Sequence, residues 1–257
     1  MVPDSYTRRA RIYPALLAAL PGLALAAVMV SWKDLGLSHA IATAAAGFLL
    51  YAFGDLTRRL GKRNEDAIYR ELGGKPSTAM LRHSDTTFDE TTKASWLKFL
   101  ATKIGSNPPT VDEEKANPAA ADAYYERCGN WLRENTRDHK KFNLIFEENV
   151  TYGFRRNLYG LKWLGLLLNV LVVVICAIWI WNRWPVGADD GVAARLVYVV
   201  VIALAHAIFF ILAVTKTGVI EAARQYARQL LLACETLATG VPLKKATAPK
   251  KQKTKAT

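Results

Sequence analysis

An uncharged run at residues 164–181, LGLLLNVLVVVICAIWIW, decides the fold class. A helix needs about 20 predominantly apolar residues to cross a hydrocarbon core about 30 Å thick. Lys162 and Arg183 bracket the run, and a tryptophan stands at each end, where aromatic rings prefer the membrane interface. The run therefore predicts a transmembrane helix over about residues 163–183.

Three further apolar runs predict three more spans, over about residues 12–31, 38–55 and 196–215. The first of them allows two interpretations. Arg8, Arg9 and Arg11 precede it and Ala24-Leu25-Ala26 resembles a signal-peptidase site, so it could be a cleaved signal. Its length exceeds that of a typical signal core, which favours a retained span.

The composition supports a membrane protein with one sizeable polar part. The chain of 257 residues is 51% hydrophobic and 22% charged, and the charges are concentrated outside the four runs. This pattern excludes a simple soluble domain, a disordered chain and a disulfide-stapled secreted module.

The distribution of cations predicts the orientation. Of the 34 lysines and arginines, all but Lys33, Arg183 and Arg195 fall on one side of the predicted spans. The positive-inside rule makes that side cytoplasmic. We therefore expect both termini in the cytoplasm and a bacterial inner-membrane location.

The resulting prediction is an all-α integral membrane protein with four transmembrane helices, arranged as two hairpins with a helical cytosolic domain between them. Its parts are a first hairpin (1–56), a cytosolic helical domain (57–162), a second hairpin (163–216), a cytosolic amphipathic helix (217–239) and a disordered polybasic tail (240–257).

Within the polar part, we expect the second span to continue as a helix to Gly73-Gly74, a pattern typical of a helix stop. Another helix follows residues 85–90 and ends at Gly105. A long helical stretch begins at Pro118 and reaches about residue 150.

Two polar residues interrupt the last two spans. His206 lies near the middle of its span, and the predicted depth of Asn169 differs from it by about 4–5 Å. An ionisable residue there is a functional hypothesis by default. The pair could line a path through the membrane, or it could hydrogen-bond across the helices and stabilise their packing.

The segment at residues 151–160, TYGFRRNLYG, joins the cytosolic domain to the third span. It carries Gly153, Arg155, Arg156 and Gly160, which we interpret as a turn-rich junction that couples the two parts. Ordinary anchoring at the headgroup level is the alternative.

The tail carries six lysines and no acid, and we interpret Lys244, Lys245, Lys250 and Lys251 as candidates for binding anionic lipid. A merely solvated tail is the alternative. Nucleic acid is a weaker candidate, because no interleaved aromatic residues accompany the lysines.

No motif predicts an enzyme, a metal site or a cofactor. Gly73-Gly74-Lys75-Pro76-Ser77-Thr78 departs from a Walker A loop, which needs a glycine where Tyr69 stands and a Ser or Thr where Pro76 stands. His83 lacks the spacing of a metal motif, and the three cysteines form no framework.

The layout resembles membrane effectors of bacterial defence and signalling systems, in architecture only. It implies a non-enzymatic, oligomeric effector or channel-like protein, gated through the cytosolic helices by a ligand or a protein. A membrane-anchored scaffold that recruits a cytosolic partner is the alternative, and an enzyme is the third hypothesis.

Overall fold

The computed structural model describes residues 4–29, 39–185 and 191–240, with the backbone alone at 39–46 and at 50. Over these ranges the regular structure is entirely helical and no strand occurs, so the all-α prediction is confirmed. The elements are α1 (Ser5–Thr7), a π turn (Arg8–Ile12), α2 (Tyr13–Met29), α3 (His39–Glu71), α4 (Pro76–Ala79), α5 (Glu90–Ile104), α6 (Val111–Ala116), α7 (Pro118–Asn135), α8 (Asn143–Gly160), α9 (Lys162–Asn182), α10 (Gly191–Leu212) and α11 (Lys216–Thr239).

Three helices of the described chain are long and apolar enough to cross a membrane: Ser5–Met29, which runs through α1, the π turn and α2, then α9 and α10. They coincide with the predicted first, third and fourth spans. The predicted second span falls on the start of α3, where the side chains at 39–46 and at 50 lie outside the described residues. The predicted connections at 32–37 and around Asp189 also lie outside them.

The three helices pack side by side as an apolar bundle. Its centre buries Val172 and Cys176 of α9 against Leu196, Val199 and Ala203 of α10. Its outer surface is equally apolar, as shown by Val170 at 59% exposed and Ile208 at 58% exposed. A helix that is hydrophobic all round is a core helix or a membrane span, and among the described residues nothing covers these outer faces.

The helix predicted to continue beyond the second span is confirmed as α3. It ends at Glu71, and both following glycines have positive φ, 70° at Gly73 and 132° at Gly74. Glycine adopts that backbone region at little steric cost, which explains the stop.

The amphipathic C-terminal helix is confirmed as α11. The Thr215 side chain accepts a hydrogen bond from the Gly218 amide at its start, and Gly240 ends it with φ 70°. Its apolar stripe, including Leu230 and Leu231, forms one core with α5 and α7, where Leu100, Tyr125 and Leu132 are also fully buried. The helix therefore links the polar region to the end of α10.

Two details of the polar region differ from the prediction. The stretch from Pro118 is not one helix, because α7 ends at Asn135 and residues 136–142 turn the chain before α8 begins. The Asp138 carboxylate accepts hydrogen bonds from the amides of Lys140 and Lys141, at 2.9 and 3.3 Å, which favours the turn over a helix.

The predicted turn-rich junction at 151–160 is wrong as local structure, because the whole segment is helical within α8. Gly153 and Gly160 do not break the helix. They occupy positions where another helix approaches too closely for a side chain, as described below.

Candidate functional site

The two polar residues of the apolar bundle are brought together. Asn169 Nδ2 lies 2.8 Å from His206 Nδ1, and His206 Nε2 lies 2.8 Å from the Leu17 carbonyl oxygen. Both side chains are buried, and the imidazole stacks on Phe210 with ring centroids 4.3 Å apart. Of the two alternatives predicted for this pair, the hydrogen bond between helices is the one that the structure contains, and a third helix joins it. We call Asn169, His206 and the Leu17 carbonyl the bundle cluster.

The hydrogen bonds of the bundle cluster define the tautomer of His206. Asn169 Nδ2 also donates to the Gly165 carbonyl at 3.0 Å, one turn earlier on α9. This second bond orients the amide so that its NH₂ group faces His206 Nδ1, which must therefore accept. The proton of the neutral ring is then on Nε2, and Nε2–H donates to the Leu17 carbonyl.

Pro21 explains why the Leu17 carbonyl needs a donor from outside its own helix. In an α-helix this carbonyl would accept from the amide of residue 21, and proline has no N–H. An unsatisfied carbonyl in an apolar environment costs several kcal/mol (roughly 4–8 in the extreme of no partner at all). His206 supplies the missing donor, so the histidine and the proline form a matched pair.

The same relation occurs seven residues earlier on the same helix, at Pro14. Pro14 cannot donate to the Ala10 carbonyl, and Asn157 Nδ2 of α8 donates to that oxygen at 2.6 Å. Asn157 is fully buried. Both prolines of the N-terminal helix thus remove a backbone donor, and a buried polar side chain from elsewhere in the fold replaces it each time.

A buried polar layer lies where α3 crosses α8, beside the end of the apolar bundle. Arg156 forms an ion pair with Glu65, and both side chains are about nine-tenths buried. The Arg156 guanidinium also donates to Asn157 Oδ1 at 3.2 Å, so the layer is continuous with the Ala10 contact. Removing one partner of such a pair leaves a buried charge, which costs about 3–5 kcal/mol.

A second polar contact extends this layer. The hydroxyls of Tyr69 and Tyr152 are 2.6 Å apart. Burial raises the pKa of Tyr69 to about 12, and burial together with its neighbour Tyr69 also raises the pKa of Tyr152 above its ordinary value. Both phenols are therefore neutral at physiological pH. We call Glu65, Tyr69, Tyr152, Arg156 and Asn157 the α3–α8 layer.

The four predicted junction residues contact three different parts of the fold. A Cβ at Gly153 would lie 2.8 Å from Tyr6 Oη, and one at Gly160 would lie 2.6 Å from the Gly61 nitrogen. Arg155 donates to the Gly218 carbonyl at 3.1 Å, near the start of α11. Together with the ion pair between Arg156 and Glu65, these contacts join α8 to the N-terminal helix, to α3 and to α11. The predicted coupling role stays a prediction.

The polar region holds a cleft of about 830 Å³ between α5, α6, the start of α7 and the turn at residues 81–84. We call it the α5–α7 cleft. Leu81 and Leu97 form an apolar floor, and Val111, 44% exposed, stands at its edge. Clefts of this size that combine an apolar lining with a few polar groups are the usual form of ligand sites.

Internal hydrogen bonds use most of the polar groups that line this cleft. Arg82 forms a two-pronged ion pair with Asp122 at 2.8 and 2.7 Å. Buried Lys93 donates to the carbonyls of Arg82 and Asp85 at 3.0 and 2.5 Å. His83 Nε2 donates to the Pro109 carbonyl at 3.0 Å. His83 therefore has a structural role in the turn.

Across residues 4–29, 39–185 and 191–240, no group of three or more His, Cys, Asp or Glu side chains is arranged to hold a metal ion. The four predicted lipid-binding residues, Lys244, Lys245, Lys250 and Lys251, lie outside the described residues. Comparisons with protein-family models, with curated proteins and with solved structures give no match.

Sequence reasoning missed Asn157 and Glu65, although one signal for Asn157 was present. A proline inside an apolar helix leaves the carbonyl four residues earlier without a donor, so Pro14 and Pro21 each predict a polar partner. The sequence does not say which residue supplies it, because the partners are distant along the chain and meet only in the fold.

Proposed function

We propose that this protein is a non-enzymatic, multi-pass membrane effector in which a cytosolic event at the α5–α7 cleft is transmitted to the membrane helices. The proposal includes four spans in two hairpins, with α3 supplying the second, and both termini in the cytoplasm. The distribution of cations supports this orientation. The exposed apolar faces of α2, α9 and α10 are suited to contact with lipid.

The observation that carries the proposal is the continuity between the polar region and the bundle. α8 and α9 are separated by Leu161 alone, and the short segment 213–215 joins α10 to α11. α11 contributes Leu230 and Leu231 to the same core as Leu97, which also lines the cleft. A shift of α5 or α7 would therefore move α11 and, through Arg155, α8.

A trigger at the cleft could be a small ligand or a protein, and the effector would act on the bilayer as a homo-oligomer. Under this proposal Arg155, Arg156, Gly153 and Gly160 couple the parts through rigid packing of α8 and not through a flexible hinge. Packed interfaces transmit small displacements because they switch between discrete arrangements.

One observation favours the scaffold as the second candidate. His206 and Asn169, which could have lined an aqueous path, are hydrogen-bonded within the chain to groups of α2 and α9. A bundle whose polar groups bind one another is suited to anchoring. In that case the α5–α7 cleft recruits a cytosolic partner and the spans only hold it at the membrane.

Membrane potential on regulated expression in bacteria separates the two candidates. A potential-sensitive dye is read for wild type, for Val111→Arg, which places a charge at the cleft edge, and for Leu144→Arg. Leu144 is a matched control because it is 56% exposed on α8 and lies outside the cleft. The effector proposal expects depolarisation that Val111→Arg changes and Leu144→Arg does not.

If wild type leaves the potential unchanged, the spans are exchanged for unrelated ones. A photo-crosslinker at residue 111 then shows whether a cytosolic protein is still captured. Capture by the chimera at residue 111 but not at residue 144 supports the scaffold and contradicts the effector proposal. Loss of capture in the chimera contradicts the scaffold.

A further inference from the structure

A second cavity of the polar region lies beside α11. It has a volume of about 440 Å³ and is bordered by the end of α3, α4, the turn at residues 85–87 and the middle of α11. Its walls include Leu72, Met80, Asp85, Thr87, Arg224 and Arg228. We call it the α4–α11 pocket.

Two arginines of this pocket carry charge that no carboxylate neutralises. Arg224 and Arg228 are four residues apart on α11, so their side chains share one face of the helix. Both residues are exposed, and among the described residues neither has a carboxylate at ion-pair distance. Glu221, one turn before Arg224, lies 3.9 Å from Arg155 of α8 instead. The two guanidinium groups are therefore available to an anion from solution.

An aromatic ring positions one of these arginines. The guanidinium carbon of Arg228 lies 5.0 Å from the centre of the Phe88 ring. Phe88 in turn packs edge-to-face on the buried Trp96, with ring centroids 4.7 Å apart. An arginine that stacks on a ring keeps its N–H groups, which lie in the guanidinium plane, available for hydrogen bonds. Arg228 is thus held in place with its donors free.

The other polar and apolar walls of the pocket define the kind of anion. Asp85 contributes a carboxylate, whose Oδ1 accepts a hydrogen bond from the Thr87 amide at 2.8 Å. The two arginines outnumber this negative charge, so the pocket favours an anion. A phosphate group presents three strong acceptor oxygens and can bind both guanidinium groups at once. Leu72 and Met80 offer apolar surface to an organic part of the same ligand.

The pocket lies away from the end of the apolar bundle. Gly61 of α3 contacts Gly160, which precedes α9 by two residues, and Leu72 follows Gly61 by eleven residues, or about 16 Å of helix. On α11, Arg224 and Arg228 follow the start of the helix by about 12 and 18 Å. The ligand that fits this position is a soluble molecule and not a lipid headgroup.

We propose that the α4–α11 pocket binds a small soluble phosphate ester, with the phosphate between Arg224 and Arg228 and the organic part against Leu72 and Met80. This site is separate from the α5–α7 cleft, and the proposal does not depend on effector or scaffold activity. Only the choice of a soluble ligand over a lipid rests on the membrane position of the bundle proposed above.

The test is protection of the arginines from phenylglyoxal in the full chain in uncharged detergent, at constant ionic strength, with modified peptides quantified by mass spectrometry. The probes are phenyl phosphate and inorganic phosphate. We expect phenyl phosphate to protect Arg224 and Arg228 at lower concentrations than inorganic phosphate. Arg63, which is exposed on α3 and lies outside the pocket, is expected to stay reactive.

Single variants show whether the two arginines form one site. In Arg224→Gln, protection of Arg228 should need roughly tenfold more phenyl phosphate, because each hydrogen bond between charged groups contributes about a factor of ten in affinity. Arg228→Gln should have the same effect on protection of Arg224. The control Arg63→Gln removes an exposed cation of α3 and should leave both unchanged. Circular dichroism of each variant shows that the helical fold is retained.

Four results would overturn the proposal. Absence of protection, or equal protection of Arg63, would show that the pocket has no specific affinity for the phosphate group. Protection of Arg228 that is unchanged in Arg224→Gln would show that the arginines do not share a ligand. Equal potency of inorganic phosphate would exclude a contribution from the organic part. Protection of both arginines by phosphatidylglycerol bilayers, but not by phosphatidylcholine bilayers, in the absence of either probe would assign the site to a lipid headgroup.

Discussion

The pairing of His206 with Pro21 makes a prediction that a double-mutant cycle can test. His206→Phe removes the donor to the Leu17 carbonyl and keeps an aromatic ring to stack on Phe210. Pro21→Ala restores a backbone N–H that can donate to the same carbonyl. The cost of losing His206 should therefore depend on which residue stands at position 21.

The magnitude follows from the state of the Leu17 carbonyl in each background. With Pro21 present, His206→Phe leaves the carbonyl buried without a donor, which costs about 1–3 kcal/mol. In the Pro21→Ala background, the carbonyl keeps a backbone donor and only the interhelical bond is lost, worth about 0.6 kcal/mol on average in membrane proteins. The loss of the Asn169 contact is common to both backgrounds and cancels, so we expect a coupling free energy of about 1 kcal/mol.

The assay is reversible unfolding in mixed micelles with increasing sodium dodecyl sulfate, followed by circular dichroism, for wild type, the single variants and the double variant. Asn157→Leu combined with Pro21→Ala is the control. Its target carbonyl, on Ala10, lies seven residues from Leu17, or about 10 Å along the helix. These two changes should be additive. If His206→Phe costs the same free energy with either residue at position 21, the assigned role of the histidine is wrong.

Three further predictions concern the α3–α8 layer and the polar core. Gly160→Ala should destabilise the protein by about 1–3 kcal/mol in the same assay, because its Cβ would meet the Gly61 backbone, whereas Gly47→Ala, whose Cβ would meet none of the described atoms within 4 Å, should not. Arg156→Met should cost up to about 3–5 kcal/mol, because it removes the buried partner of Glu65 and leaves only the half-exposed Lys62, at 3.1 Å, to pair with that carboxylate; adding Glu65→Met should recover most of this loss, and a further loss would contradict the role of the pair. Burial raises the pKa of Cys128 to about 11, so at pH 8 a maleimide should modify this thiol only after denaturation, and rapid native labelling measured by mass spectrometry would contradict the buried core.

Apolar runs and helix ends were predictable because each depends on local sequence. The helices α9 and α10, which are long and apolar enough to cross a membrane, follow from apolar runs with one polar interruption each, and the end of α3 follows from a glycine pair. The apolar stripe of α11 follows from the helical spacing of its apolar residues. In each case the property that decides the structure is contained within about one helix length.

The errors arose where residues with an ambiguous local meaning were read without their neighbours in space. Glycine can end a helix or permit close packing, and Gly153 and Gly160 do the second inside α8. The break after Asn135 was missed because the turn that follows is stabilised by a single carboxylate, that of Asp138. Local propensity allows a glycine or an Asp138 turn to be helical or not, and contacts with other parts of the fold decide which conformation forms.

The candidate site shows the same division. The sequence placed His206 and Asn169 at similar depths, and the hydrogen bond between them followed from that placement. It did not reveal that the N-terminal helix completes the cluster, because Leu17 contributes a backbone oxygen and not a side chain. The sequence suggests a role for His206 from the chemistry of its own side chain. Its presence is explained by Pro21 on another helix, which leaves the Leu17 carbonyl without a backbone donor.

These contacts also bear on the alternative of a cleaved signal at Ala24-Leu25-Ala26. Cleavage there would remove the Leu17 and Ala10 carbonyls, together with Arg9, which pairs with Glu147 at 2.7 Å. His206 and Asn157 would then be buried donors without acceptors, at a cost of about 1–3 kcal/mol each. A segment destined for removal has no physical reason to match its prolines with polar side chains of the mature chain. We therefore expect the mature protein to retain residues 4–29, and intact-mass measurement of the purified chain tests this directly, since a mass that begins at residue 27 would refute it.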